Sequence, residues 1–208
     1  MHCYLVPLIA LYLVREQPPL PAGSSVVLWW PLALLPLVSL LWLLSYASDI
    51  ALGSHLMAIL TLQLLLVSWL GRGKAWHLRF PIFYLLFMLP FGEELNLPLQ
   101  EITADITVYL LQVAGIPVFR EGLYLATPVG HFEVAVACSG LRFLIASLAI
   151  GCIFAHLYFK TWYRQWLFMA ALVVASILAN GARAFLLIWL AELSDMRLGF
   201  GADHYVYG

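Results

Sequence analysis

Long apolar runs alternate with short polar connectors along most of the chain, and few charged residues interrupt the runs. Most runs are about 20 residues long, the length that an α-helix needs to cross a bilayer core of roughly 30 Å. The pattern therefore predicts about six membrane segments packed as a helical bundle. The predicted segments cover residues 4–14, 26–46, 50–70, 75–91, 139–159 and 166–190.

The longest connector, residues 92–138, carries two further patterns. Apolar residues recur at helical spacing in LPLQEITADITVYLLQVAGIPV, which predicts an amphipathic helix lying on the membrane. Its predicted apolar face consists of Ile102, Ile106, Tyr109, Leu110 and Val113. Apolar residues then alternate in GLYLATPVGHFEVAVA around the turn Pro128-Val129-Gly130, which predicts a β-hairpin whose second strand runs into Cys138. The predicted fold class is an all-α polytopic membrane protein, a single domain over residues 1–208 with this small helix and hairpin attached.

Composition strengthens the membrane assignment. Hydrophobic residues make up 64% of the 208 positions and charged residues 10%, whereas soluble domains contain about half and about a quarter. The net charge of −1 leaves no basic excess to neutralise phosphates, so we expect no nucleic-acid partner. The cysteines at positions 3, 138 and 152 lack metal-ligand spacing and no HExxH motif occurs, so we predict neither a metal nor a cofactor.

Charged residues separate between alternate connectors. Six of the ten basic residues lie around residues 15, 72–79 and 160–164, whereas ten of the eleven acidic residues lie in the other connectors. Since basic connectors remain in the cytoplasm, the 92–138 connector, Cys138 and the C-terminal tail are predicted to share the outer face. In a bacterium with two membranes, this is the periplasmic face of the inner membrane.

Cys138 lies where the polar connector meets the fifth apolar run, in VACSGLRFLIASLAIG. At a strand-to-helix corner formed with Ser139 and Gly140, free backbone N–H groups and the helix dipole favour a thiolate and can also bind an oxyanion. A cysteine is also a common small buried residue, so position alone leaves nucleophile and packing residue both open. Cys152, in the middle of the same run, fits the packing role.

Asn180 and Arg183 lie in the last apolar run, in SILANGARAFLLIWL. An arginine costs about 2.5–3.5 kcal/mol at the centre of a membrane helix, although near a helix end it can snorkel to the surface. Asn180 falls one turn earlier on nearly the same face, which indicates that the pair faces the bundle interior. Arg142, one turn after Cys138, is either the partner of an acid or a second cation beside the thiol.

His204, in GFGADHYVYG, is the candidate base, because an imidazole within about 3 Å can activate a thiol. Asp203 beside it can set its tautomer. His131 competes for this role, since it lies in the hairpin that leads to the thiol. A polar Asn–Arg pair in a bundle can also bind an anion without any reaction, so the residues alone leave an enzyme and a non-catalytic transporter or scaffold both open.

Three blocks, FEVAVACSGLRFLIASLAIG, NGARAFLLIWL and GADHYVYG, occur in an order and topology that resembles the exosortase family, in particular its exopolysaccharide-associated exosortase A subgroup. The resemblance covers nearly the whole chain. It implies a multi-spanning cysteine transpeptidase of the bacterial inner membrane. The implied substrates are exported proteins whose C-terminal sorting signal contains a PEP motif, a hydrophobic helix and a basic tail. The resemblance further implies that Cys138 is the nucleophile, Arg183 the essential cation and His204 the acid/base.

Two features depart from this family. Its members often have an acidic residue two positions before the cysteine, where this chain has Val136. They also extend further at both ends, so we expect the chain to be truncated relative to them. The implied intermediate is a thioester on Cys138 that an amine acceptor or water releases, within a protein surrounded by membrane lipid. The alternatives are an exopolysaccharide-linked scaffold or transporter, and an inactive truncated family member.

Overall fold

The computed structural model describes residues 5–17 and 27–196. Four helices in these ranges are long and apolar enough to cross a membrane. A fifth crossing is added if the consecutive helical stretches Arg79–Met88 and Glu93–Val113 count as one span. The all-α polytopic membrane fold is therefore confirmed, with four or five spans in the described ranges where the sequence predicts about six.

The chain divides into two compact units, Met1–Phe91 and Gly92–Gly208. The described part of the first unit contains α1 (Leu5–Glu16), α2 (Trp29–Ala47), α3 (Ala51–His77), α4 (Arg79–Tyr84) and a 3-10 turn, Leu85–Met88. The described part of the second unit contains α5 (Asn96–Val113), three strands, α6 (Leu141–Tyr158) and α7 (Trp162–Leu193). The single domain expected over the whole chain stays a prediction.

In the first unit, α2 and α3 form a helical hairpin. Asp49, with φ 56°, lies in the tight turn between them. The far ends of the hairpin are joined at Leu28 and Ser68. The Leu28 N–H donates to the Ser68 carbonyl (3.2 Å), and the Ser68 hydroxyl donates to the Leu28 carbonyl (2.8 Å). These bonds satisfy polar groups that a bilayer core would leave without water.

The third and fourth predicted segments differ from the observed helices. α3 is 27 residues long and continues through residues 71–74, where the sequence predicts a connector. Gly71 has the non-helical angles φ 73° and ψ 167°, so α3 consists of two helical stretches that meet at a kink there. The predicted segment 75–91 is therefore shared among the end of α3, the six-residue α4 and the following 3-10 turn. α1, with 12 residues, is also too short to be a span by itself.

The predicted hairpin is present and is extended by one strand. β1 (Phe119–Glu121), β2 (Tyr124–Thr127) and β3 (Gly130–Glu133) form an antiparallel sheet in that order. In this sheet Leu125 pairs with both Arg120 and Phe132. β3 ends at Glu133, so the second strand does not run into Cys138 as predicted, and Val136 is exposed.

The helix predicted in the connector is α5, and the residues that it buries are different from those of its predicted membrane-facing side. The buried residues of α5 are Leu99, Gln100, Thr103, Ala104, Thr107 and Leu111. On the predicted membrane-facing side, Tyr109 and Val113 are exposed, whereas Ile106 packs against Gly181 of α7. α5 therefore packs along α7 and turns uncharged polar side chains inward, where hydrogen bonds satisfy most of them.

A small apolar core holds the elements of the second unit together. Its members are Ala104, Leu111, Leu125, Val134 and Ile188, which come from α5, β2, the chain after β3 and α7. Cys138 and Phe185 pack against this core. An ion pair between Arg120 of β1 and Asp105 of α5 adds a polar link between the sheet and the helix.

Candidate active site

Cys138 lies at a sharp corner between the sheet and α6. It is the last residue of the 3-10 turn Val136–Cys138, and its N–H donates to the Ala135 carbonyl (2.8 Å). Two residues later Gly140 adopts the left-handed conformation, with φ 76°, and α6 begins at Leu141. The half-buried cysteine therefore stands directly before a helix N-terminus.

Asn180 of α7 holds the backbone of the cysteine. Its side-chain Nδ2 donates to the Cys138 carbonyl (2.8 Å) and to Thr103 Oγ1 of α5 (2.9 Å). The Thr103 hydroxyl donates in turn to the Leu99 carbonyl (2.7 Å), so it accepts from Asn180. Because a carbonyl oxygen can only accept, the nitrogen of the amide must face Cys138. The orientation of the Asn180 side chain is therefore fixed.

Ser139 and Gly140, the residues predicted to support the thiol, each contact a neighbouring helix. The Ser139 hydroxyl donates to Asn96 Oδ1 of α5 (2.8 Å) and accepts the Leu141 N–H (3.3 Å). A Cβ atom at Gly140 would lie 2.5 Å from Cγ of Asn180, closer than real Cβ contacts occur. The corner is thus packed so tightly on α7 that it has no room for a side chain at Gly140.

A second side-chain amide holds the chain before the cysteine. Gln100 of α5 donates from Nε2 to the Val134 carbonyl (2.6 Å) and is 5% exposed. Sequence reasoning missed the α5 residues that contact the corner. These residues, Asn96, Gln100 and Thr103, belong with Thr107 to a stripe of uncharged polar residues at intervals of four, three and four. This helical spacing is the signal that could have identified them, because the charged residues of α5 fall between its members.

Arg183 lies one turn beyond Asn180 on α7 and reaches the first turn of α6. Its guanidinium carbon is 5.2 Å from the centroid of the Phe143 ring, a cation–π contact. The structure therefore brings Asn180 and Arg183 to the corner that carries Cys138. Arg142 is also at this corner, but it is exposed and has no ion pair with an acidic residue in the described ranges.

The candidate base and its neighbour, His204 and Asp203, lie outside the described residues. The competing histidine, His131, is exposed on β3 and pairs there with Ala126. Cys152 lies half-buried within α6, three turns below the corner. Within residues 5–17 and 27–196, no group of three or more His, Cys, Asp or Glu side chains is placed to hold a metal.

Long apolar helices around a buried polar corner define a multi-pass membrane protein. The family profile described as transmembrane exosortase (Exosortase_EpsH) matches residues 1–208, the whole chain. The chain belongs to the transmembrane exosortase family, which confirms the resemblance at the level of the family. No curated protein and no solved structure matches the chain.

Proposed function

We propose that this protein is a cysteine protease and transpeptidase of the bacterial inner membrane, with its active site on the outer face. Its substrates would be exported proteins with a C-terminal sorting signal made of a PEP motif, a hydrophobic helix and a basic tail. Membership of the transmembrane exosortase family supports a role in processing such signals. The geometry around Cys138 supports that residue as the nucleophile.

One observation carries this proposal: the hydrogen bond from Asn180 Nδ2 to the Cys138 carbonyl (2.8 Å). It ties the residue that bears the thiol to the helix that bears Arg183, three residues further along α7. Residues three apart on a helix lie on the same face, about 5–6 Å apart between their Cβ atoms. The thiol and the guanidinium are therefore held on adjoining elements.

In the proposed reaction the Cys138 thiolate attacks the scissile carbonyl, and the resulting oxyanion needs hydrogen-bond donors. The N–H groups of Cys138 and Ser139 already donate to the carbonyls of Ala135 and Val136. The Arg183 guanidinium and the N–H group of Gly140, the N-cap residue of α6, are better suited. The first N–H groups of a helix lack partners within it and favour negative charge.

His204 is the proposed acid/base. It would protonate the leaving amine as the peptide C–N bond breaks and the thioester forms, and then deprotonate the acceptor amine or water. Chain length is consistent with this role. A Cβ atom at Gly130 would lie 3.1 Å from Cε of Met196, the last described residue, so the two are neighbours. His204 lies eight residues after Met196, and Cys138 lies eight residues after Gly130. An extended chain of eight residues spans at most about 28 Å.

The nucleophile is tested by co-expressing the protein with a tagged reporter that ends in a PEP motif, a hydrophobic helix and a basic tail. Both Cys138→Ala and Cys138→Ser should abolish reporter cleavage, because neither side chain can form the thioester. The matched control is Cys152→Ala, which changes a cysteine of α6 away from the corner and should leave cleavage intact. Cleavage is measured by the mobility of the reporter on gels.

Accumulation of each variant in the membrane is measured in parallel. Normal cleavage in Cys138→Ala would reject the assignment of the nucleophile. Loss of cleavage in Cys152→Ala, at normal accumulation, would show that the effect is not specific to Cys138.

A further inference from the structure

The segment Val134–Cys138 is held at both ends by side-chain amides from two helices. Gln100 of α5 binds the carbonyl of Val134, and Asn180 of α7 binds the carbonyl of Cys138. Gln100 and Asn180 are 5% and 8% exposed. A buried amide is costly unless it is hydrogen-bonded, so each amide in this apolar surrounding has a defined partner.

Val134 is fixed more firmly than a residue of an ordinary loop. Its N–H donates to the Leu123 carbonyl (2.9 Å), its carbonyl accepts from Gln100 (2.6 Å), and its side chain lies in the apolar core. Gln100 supplies the one of these three contacts that comes from a polar side chain. It is therefore the contact that a single substitution can remove without opening the core.

Movement at Val134 passes to the thiol because the chain between them is compact. The Cys138 N–H donates to the Ala135 carbonyl (2.8 Å), and the Ala135 N–H donates to the Glu133 carbonyl (3.0 Å). These tight turns leave the backbone between Val134 and Cys138 little conformational freedom. A shift of the Val134 carbonyl therefore displaces the thiol relative to α7 and Arg183.

We propose that Gln100 is a positioning residue for Cys138, acting through the Val134 carbonyl. This inference rests on the proposed function, because it assumes that the Cys138 thiol must attack a peptide carbonyl in a fixed direction. Asn180 holds the other end of the same segment. Gln100 contributes by fixing the approach of the thiol and not by contact with the substrate.

The first test compares Gln100→Met with Gln112→Met. Methionine has nearly the volume of glutamine but cannot donate to the Val134 carbonyl, and Gln112 is an exposed glutamine on the same helix. Reporter cleavage should fall about 10-fold to 100-fold in Gln100→Met, the effect of misplacing a reacting group by about 1 Å. Cleavage by Gln112→Met should equal that of the wild type.

A chemical readout separates positioning from loss of the fold. In a background of Cys3→Ser and Cys152→Ser, iodoacetamide reacts with Cys138 alone. A small reagent can approach the thiol from several directions, so its rate in Gln100→Met should stay within about threefold of the wild-type rate. Slow cleavage with near-normal alkylation supports positioning. Wild-type cleavage by Gln100→Met overturns the proposal.

The second variant, Gln100→Glu, is measured at several pH values in the same preparation. A lower amount of the variant in the membrane therefore does not affect the comparison. A neutral carboxyl group can donate to the Val134 carbonyl, whereas a carboxylate cannot and is repelled by it. Cleavage by this variant, relative to the wild type at the same pH, should be highest at acidic pH and fall about tenfold as the carboxyl group ionises. A ratio that does not change with pH contradicts the proposal.

The outcomes also separate this proposal from the proposed function. If Cys138→Ala still cleaves the reporter, the proposed function fails, and the positioning role fails with it. If cleavage requires Cys138 but Gln100→Met and Gln100→Glu behave like the wild type at every pH, only the positioning role is rejected.

Discussion

At the scale of single residues, two independent constraints act on Gly140. Its φ of 76° lies in the left-handed region, which costs a residue with a Cβ atom roughly 1–2 kcal/mol. In addition, a Cβ atom would lie 2.5 Å from Cγ of Asn180, the residue whose amide holds the Cys138 carbonyl. The conformation and the close approach together let the chain turn from Cys138 into α6 while it stays against α7.

These two constraints can be separated by comparing Gly140→Ala with Gly115→Ala. Gly115 has a similar φ of 78°, but a Cβ atom there would meet nothing within 4 Å. Gly115→Ala should therefore lower the free energy of unfolding by about 1–2 kcal/mol only. Gly140→Ala should lower it further and also reduce reporter cleavage, because Asn180 must move. Thermal unfolding in detergent and the cleavage assay measure the two effects, and equal results for both variants would contradict the role of the Asn180 contact.

Some residues of the corner are recognisable in the sequence and others are not. Cys138, Asn180 and Arg183 stand out because each is a polar or reactive residue beside or within an apolar run. Gln100 and Asn96 can be recognised in the sequence only as members of the polar stripe of α5. Their partners cannot be predicted from it, because Gln100 donates to a backbone carbonyl 34 residues away and Asn96 accepts from Ser139, 43 residues away.

At the scale of elements, the position of α5 depends on close packing against α7. Gly181 of α7 contacts Ile106 of α5, and a Cβ atom at Gly181 would lie 2.5 Å from Cγ2 of Ile106. Small residues let membrane helices approach closely and gain van der Waals contact. The adjacent Asn180 bonds Thr103 of α5, so packing and the polar network occur at the same crossing.

Gly181→Ala should therefore push α5 away from α7. We expect it to lower the free energy of unfolding by about 1–3 kcal/mol, the usual effect of overpacking a core. The matched control is Gly73→Ala in α3, where a Cβ atom meets nothing within 4 Å and alanine should be neutral or stabilising by up to about 1 kcal/mol. Adding Ile106→Ala to Gly181→Ala should recover part of the loss. Thermal unfolding in detergent tests this, and an additive double variant would argue against the contact.

The sequence predicts the apolar helices better than it predicts how they end. Arg72, Gly73 and Lys74 resemble a connector because glycine and basic residues usually mark one, yet they are helical, in a second stretch of α3 that begins after the non-helical Gly71. The backbone hydrogen bonds of a helix do not depend on side-chain polarity, so a polar stretch at a membrane surface can remain helical. In α5, the sequence predicts the helix, but its buried face depends on partners in α7 and after β3.

At the scale of the whole molecule, the orientation expected from the charges requires an odd number of membrane crossings between the basic end of α3 and the acidic connector. The basic residues around Arg72 and Lys74 are expected in the cytoplasm, and the acidic connector that leads to Cys138 is expected outside. The chain must then cross an odd number of times between them. In the described structure this interval contains α4, a 3-10 turn and α5, and the stretches Arg79–Met88 and Glu93–Val113 are together long and apolar enough for one bent span. We therefore expect five crossings from α2 to α7.

Labelling from outside tests this crossing. In a background of Cys3→Ser, Cys138→Ser and Cys152→Ser, single cysteines are placed by Gly73→Cys, in α3, and by Gln112→Cys, near the end of α5. Both positions are exposed, so each thiol can react. A maleimide that does not cross membranes should label Gln112→Cys in intact spheroplasts but should label Gly73→Cys only after permeabilisation. A Ser48→Cys variant, in the turn between α2 and α3, should behave like Gln112→Cys because the charge pattern places both outside. If intact spheroplasts label both Gly73→Cys and Gln112→Cys, or neither of them, residues 79–113 do not cross. Labelling of neither would also put Gln112 on the face opposite to the one that the charges assign to it.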